Sequence, residues 1–469
     1  MNKQWATEPV MAFRTPVRRG AVDWSRPLVL LVAASAYWLV QFVIYVVWIA
    51  PRYGFLAMGW GHPDPLAVAI CFALAVLTAL ALPRSIASPA TLITWAFWAA
   101  VIVPASYIPH VSGHLGPLAS VGVTVMAAVA LLIMAGIAGR VRRLRIPQPP
   151  FGWPLAVTVL LVAAVALNLY IFWWVGYRFS LLGVGDAFNA RLAFRQQRES
   201  LPTFVGYAIP WASVAVNPLV LAIGLYRRWY LRVGVPVALA TVGLYAIDGQ
   251  KLVLFTPLFV VAVFLIFNLR GRITPWAAMG GLAAVNAVAA VLAPVADGMI
   301  LETVVRRIQM IPGQLVGGYV EFYSQNPFTY LQQSRFFNSG TLAEEPSYVI
   351  GRFLFQSTTQ NANANFMGDG YASLGVAGVL LFAVVAGCVL GLIDSLSARH
   401  KPSLAIAAAA SLAITLTNSP LQTALLTGGV ALFCVLLALL PAHDPSPELA
   451  RVAAARARHR APILVAATR

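Results

Sequence analysis

Crossing ~30 Å of hydrocarbon takes roughly 20 consecutive apolar residues in a helix, and runs of that kind fill most of this chain. Applied along the sequence, that length gives about twelve spans: 27–50, 66–83, 90–108, 117–139, 152–176, 202–226, 233–247, 252–268, 273–295, 371–393, 403–417 and 424–440. Only 10% of the 469 residues are charged and 60% are hydrophobic, too little charge to keep a protein of this size dispersed in water. The expected fold is an all-α polytopic membrane protein of about twelve transmembrane helices.

The first span follows a basic leader, 1–26, and lacks a small-residue cleavage site, so it reads as a retained helix rather than a signal peptide. Cys71, Cys388 and Cys434 all fall inside predicted spans, which points to packing rather than a disulfide framework. The net charge of +17 invites a nucleic-acid reading, but its distribution argues for topology instead. Arg14, Arg18, Arg19 and Arg26, then Arg140 to Arg145, Arg227 to Arg232, Arg270 and Arg272, Arg399 and Lys401, and Arg451 to Arg460 recur on one face of a twelve-span arrangement. That is the positive-inside pattern. It places both termini in the cytoplasm, the spans of 27–295 and 371–440 in the membrane, and a tail at 441–469 that either lies on anionic lipid or is simply solvated.

The connections on that face are short, while two on the opposite face are not: 177–201 and 296–370. Hydrophilic mass therefore sits away from cytosolic nucleotides, and no Gly-rich phosphate loop precedes a helix. His62, His110 and His114 are scattered, so neither a metal nor another cofactor is expected. The large outward loop shows helical spacing. Val304, Ile308 and Ile311 share a face, Pro312-Gly313 breaks it, and Leu315, Tyr319, Phe322 and Tyr323 resume it. The pattern predicts short amphipathic helices lying on or dipping into the outer membrane face.

Several groups in and beside these loops are candidates for chemistry. Asp248-Gly249-Gln250-Lys251 interrupts the apolar run after a span of only 15 residues. Such a span rises ~22 Å, which would leave Lys251 partly within the membrane. Lys251 then either lines an outward-open cavity or pairs with Asp248 and snorkels. Arg195 precedes Gly206, Arg306 precedes Gly317 and Arg307 precedes Gly318, each by eleven residues. Arginine offers a planar fork of donors suited to diphosphate oxygens, and salt bridges to Glu199, Glu302 or Glu321 are the plainer alternative. Tyr319 and Tyr323 lie one turn apart, placed to stack on sugar or to join an interfacial aromatic belt. Asn361, Asn363 and Asn365 alternate beside Asp369, a row suited to hydroxyl-rich ligands or to capping the next helix.

These residues carry a family resemblance. Arg306-Arg307…Pro312-Gly313…Tyr319…Phe322-Tyr323…Asn326-Pro327…Tyr330, the later Ala364-Asn365-Phe366-Met367-Gly368-Asp369-Gly370-Tyr371…Gly375, and the break at Asp248–Lys251 resemble the bacterial oligosaccharide repeat-unit polymerases, the Wzy-type enzymes of O-antigen, capsule and exopolysaccharide assembly. The similarity covers roughly the C-terminal half plus the topology. The Arg-to-Gly spacing also resembles motifs in the outward loops of O-antigen polymerases. Lys251 stands where that family often has an arginine, keeping the charge without the bidentate fork.

The resemblance implies a glycosyltransferase C-like fold at the outer face of the bacterial inner membrane. It implies metal-independent transfer of a glycan from undecaprenyl diphosphate to a hydroxyl of the next lipid-linked unit, with no cofactor and with a chain-length regulator as a conceivable protein partner. On that reading Arg195, Lys251, Arg306 and Arg307 surround the diphosphate, and Asp369 or Glu321 accepts the proton. Arg191, Asp248, Tyr319, Tyr323, Asn361, Asn363 and Asn365 then bind substrate. An O-antigen ligase shares the plan but carries a functional histidine in its large loop, and 297–370 contains none. A flippase of lipid-linked oligosaccharide and a purely structural subunit are the rivals from other classes.

Overall fold

Proline opens many of these helices, because at the first turn its missing N–H has no partner to lose and its fixed φ suits the helix. In the computed structural model, which describes residues 25–141, 147–180, 184–198, 200–270, 272–295, 298, 300–333 and 344–442, this accounts for the starts at Pro65, Pro89, Pro117, Pro275, Pro346 and Pro402. Side chains complete several starts. Asp64 accepts from the Leu66 N–H, and Ser88 with Thr91 forms a reciprocal capping box. Among the described residues fifteen helical stretches follow: α1 Pro27–Leu56, α2 Pro65–Ala81, α3 Pro89–Val111, α4 Pro117–Arg140, α5 Trp153–Val175, α6 Val184–Arg198, α7 Thr203–Tyr226, α8 Tyr230–Asp248, α9 Lys251–Arg270, α10 Pro275–Leu292, α11 301–323, α12 Pro346–Phe355, α13 Phe366–Ser397, α14 Pro402–Asn418 and α15 Leu421–Leu439.

Ten of these, namely α1, α3, α4, α5, α7, α8, α9, α10, α13 and α15, are long and apolar enough to cross a membrane, while α2 and α14 are shorter apolar helices. The chain is thus an all-α, multi-pass membrane protein. Its outward-facing surface agrees. Along α5, Leu155, Val159, Val162 and Leu169 are all exposed at helical spacing, as are Val285, Val288 and Val291 on α10. An apolar stripe of this kind is costly in water and at home in hydrocarbon. The interior is made where α13 packs along α4, α1 along α10, and α11 against α3 and α13.

Four expectations change here. The segment 233–247 is not a short span: α8 has 19 residues, a rise of about 28 Å, so shortness no longer forces Lys251 below an interface. The break after it comes from Gly249, whose φ of +61° closes the helix by a left-handed C-cap, its N–H donating to Tyr245 O. The loop 177–201 contains a 15-residue helix, α6, packed against α8. Most consequentially, the middle of 296–370 does not lie on a surface, although Pro346–Phe355 is a short helix that exposes Arg352 and Phe353. Residues 311–320 are buried without interruption. The reason is steric: Gly313 and Gly317 are one turn apart, and a Cβ at Gly313 would come within 2.5 Å of Ala105 N while one at Gly317 would fall on the Pro109 ring. Without side chains there, α11 lies directly against the Pro104–Pro109 stretch of α3. The span expected at 371–393 also begins earlier, at Phe366, and is broken at Leu374 and Gly375. The leader before residue 25, the tail after 442, and the side chains of Arg195 and Lys251 lie outside the described residues.

Candidate functional site

The two arginines of α11 sit in its first half, 301–310, which is wound as a π-helix. Such winding is rare, usually limited to single turns, and frequent at functional sites. Arg306 is buried, 8% exposed, and lies against the end of α1. Its guanidinium stands over the Tyr53 ring at 4.3 Å, and one Nη donates to Glu302 at 3.1 Å. Its Nε–H, also buried, has no hydrogen-bond partner among the described residues.

Arg307, next in sequence, is exposed. Its pKa is nevertheless lowered to about 10, by burial first and then by the neighbouring charges of Arg191 and Arg306. Accessible surface and dense surroundings together describe a side chain in a water-open recess rather than on an outer face. A pKa of about 10 leaves the guanidinium charged at neutral pH.

Arg191 comes from α6, more than a hundred residues away. It reaches the break after α8, donating through Nη2 to Gly249 O at 3.2 Å, and its own Nε–H is buried and unpartnered among the described residues. Glu302 is occupied by Arg306, and Asp248 accepts from Gln250 Nε2. Three sequence-predicted elements thus converge: the 177–201 connection, the Asp248–Lys251 break and the Arg306-Arg307 pair. Arg195 is one turn beyond Arg191 on α6, and Lys251 opens α9 directly after the break. An accessible guanidinium with two more as charged neighbours is suited to a polyanion of phosphate type.

A second group lies at the other end of α11. Asp369 occupies the first turn of α13, buried, and accepts from Gln333 Nε2 at 3.3 Å while that amide also reaches Ser373 Oγ at 2.5 Å. Burial raises the Tyr319 and Tyr323 phenols, and Asp369 adds to both shifts, which places its carboxylate beside them. These tyrosines do not form a sugar platform. Tyr319 is 2% exposed and donates to Ala362 O at 3.1 Å; Tyr323 is 4% exposed and packs on Tyr319 and Phe322. The asparagine row is corrected as well. Asn363 is exposed, but Asn365 is fully buried as the N-cap of α13, accepting from Met367 N at 3.0 Å and contacting Pro312 O and Thr417 O. Asn361 is half-buried, its Oδ1 without a partner among the described residues. Packing around Asn365 took over the row's geometry.

No family model, curated protein or solved structure matches the chain. Function must therefore come from the site alone.

Two features escaped the linear reading. Glu321 stands 3.0 Å from His114 Nδ1, at ion-pair distance though outside hydrogen-bond alignment. His114 comes from the α3–α4 connection, so only the fold brings the pair together. Beneath Arg306, Gln309 meets a buried polar cluster: its Oε1 accepts from Tyr37 Oη at 2.8 Å, Gln41 Nε2 at 2.7 Å and Asn286 Nδ2 at 2.8 Å, and its Nε2 donates to Asn286 Oδ1 at 3.0 Å. The only linear trace of this cluster is an isolated amide in each of two apolar spans, α1 and α10.

Proposed function

We propose that this protein joins oligosaccharide repeat units carried on undecaprenyl diphosphate, at the outer face of a bacterial inner membrane, with both termini in the cytoplasm. The observation that carries the reading is the solvent-open Arg307, with Arg191 and the buried Arg306 as its charged neighbours. In this reaction the hydroxyl oxygen of one lipid-linked unit attacks the anomeric carbon of another. The bond from that carbon to the diphosphate breaks, and the hydroxyl proton passes to a base. Negative charge grows on the departing diphosphate, and fixed guanidiniums stabilise it without nucleotide. Neither sequence-predicted acceptor stands beside the arginines: Glu321 is fourteen residues beyond Arg307 on α11, roughly 20 Å along the helix, and Asp369 lies beside Tyr319 and Tyr323 at that same end.

His114 beside Glu321 also strengthens a second reading, the ligase. The absence of histidine from 297–370 weighed against it, and the fold supplies one from elsewhere. Purified protein given one defined lipid-linked repeat unit and no nucleotide separates these readings. Products of two or more repeats with release of lipid diphosphate support the polymerase, and no product longer than one repeat overturns it. In cells, a deletion strain of a polymerase retains single repeat units on the acceptor, whereas loss of a ligase or flippase removes surface glycan altogether.

A further inference from the structure

The arginine pair is carried on a segment that has no intrinsic reason to hold its shape. Ten residues of π-helix, Leu301–Met310, contain an arginine dipeptide facing a recess, and a helix wound this way needs tertiary contacts to persist. The strongest such contact in the segment is Gln309, two residues from Arg307 and three from Arg306. Its amide is locked to α10 by a reciprocal pair with Asn286, and to α1 by Tyr37 and Gln41. Gln41 also donates to Tyr37 Oη at 2.6 Å, and the single Tyr37 hydroxyl proton is shared between Gln309 Oε1 at 2.8 Å and Ala99 O of α3 at 3.1 Å. Every member is buried: Tyr37, Gln41 and Asn286 at 0% and Gln309 at 6%. Polar side chains in an apolar interior are held firmly when each finds a partner, so this cluster ties α1, α3 and α10 to one point of the π-helix.

We propose that Gln309 is the positioning residue of the arginine recess, its amide fixing the register in which Arg306 and Arg307 meet the diphosphate. This rests on the reading of that recess as a diphosphate site. Gln314 provides the control. It lies on the same α11, is 4% exposed, and donates to Leu56 O at 2.7 Å and Ala57 O at 3.0 Å, but it stands seven residues from Arg307. The test uses the full chain in lipid nanodiscs, inorganic diphosphate as the binding probe, and thermal unfolding in parallel. Gln309→Leu should weaken diphosphate binding on the order of ten- to a hundredfold, the scale expected when reacting groups shift by ~1 Å. Gln314→Leu should lower thermal stability comparably and leave affinity within about twofold. The exchanged pair Gln309→Asn with Asn286→Gln should restore binding, because it rebuilds the reciprocal amides across the same two helices. If Gln309→Leu does not reach the membrane, Asn286→Leu replaces it, since it unlocks Gln309 without removing it. Equal affinity losses in the Gln309 and Gln314 variants, or none in either, overturn the positioning role. A parent protein that fails to bind diphosphate overturns the recess reading itself, a result distinct from binding that is indifferent to Gln309.

Discussion

Arg306 and Arg307 are neighbours in sequence with opposite burial, so replacing each by alanine should separate function from stability. Arg307 is exposed, its pKa lowered by burial and by Arg191 and Arg306, and no hydrogen bond or ion pair is seen for it among the described residues. Removing it leaves no cavity and relieves like-charge repulsion, so Arg307→Ala should unfold at the parent's temperature or slightly above. A charge-assisted hydrogen bond is worth about 1.5–3 kcal/mol, so losing this guanidinium should weaken inorganic diphosphate binding roughly ten- to a hundredfold. Arg306→Ala breaks the Glu302 ion pair and the Tyr53 cation–π contact of a buried side chain. It should destabilise by about 1–3 kcal/mol as well as weaken binding. Calorimetric titration and thermal unfolding in nanodiscs measure both quantities on the same samples. In cells Arg307→Ala should insert normally and make no long polymer. Should Arg307→Ala unfold as early as Arg306→Ala, or bind diphosphate and polymerise like the parent, the functional assignment of the pair fails.

Other outcomes follow from the same geometry. Gly317→Ala should destabilise by about 1–3 kcal/mol, because its methyl falls on the rigid Pro109 ring. Gly318→Ala should cost less, because its methyl meets the mobile end of Leu354 at 2.5 Å; chemical or thermal unfolding of the two variants ranks them. Asn365→Ala should lose about 1 kcal/mol or more as the α13 cap disappears, whereas exposed Asn363→Ala should leave stability unchanged by the same measurement. Binding of sulfate, an anion that does not itself titrate in this range, should be flat through neutral pH and weaken as pH rises through about 10. The sign follows from the binding form being the protonated guanidinium, whose pKa is lowered, so its charge is lost earlier than an ordinary arginine's; affinity that persists well above that pH contradicts the crowded recess.

Span positions were legible because apolar length is a local property: the ten apolar helices and the two shorter ones fall where runs of apolar residues stand in the sequence. Burial of α11 was not legible, because it depends on partners elsewhere in the chain. Gly313 and Gly317 read equally well as loop residues until Pro104, Ala105 and Pro109 of α3 are placed against them. The alternating asparagines read as one row because extended backbone puts alternate residues on one side. The start of α13 at Phe366 ended that row and turned Asn365 into a cap. The cationic character of both long connections was visible, yet their meeting was not, since nothing local to Arg191 announces Gly249 as its partner.

The amide of Gln309 shows why the arginine pair could be found while its support could not. Clustered charge in an apolar chain stands out in composition alone, whereas a single Gln, a single Asn and a Tyr-to-Gln pair one turn apart are each unremarkable in a spanning helix. Their weight comes from mutual satisfaction. Gln309 Oε1 has donors from two helices, and no one of these residues could be buried without the others. The same reciprocity makes the cluster intolerant of partial change: replacing Asn286 alone strands the Gln309 donor in the interior, while replacing both partners by an exchanged pair strands nothing. A site that holds like charges together benefits from such an anchor, since Arg191 and Arg306 both disfavour the charge on Arg307. Anchor and repulsion oppose each other across two residues of backbone, and on the proposed reading a polyanion entering the recess would remove the second while leaving the first in place.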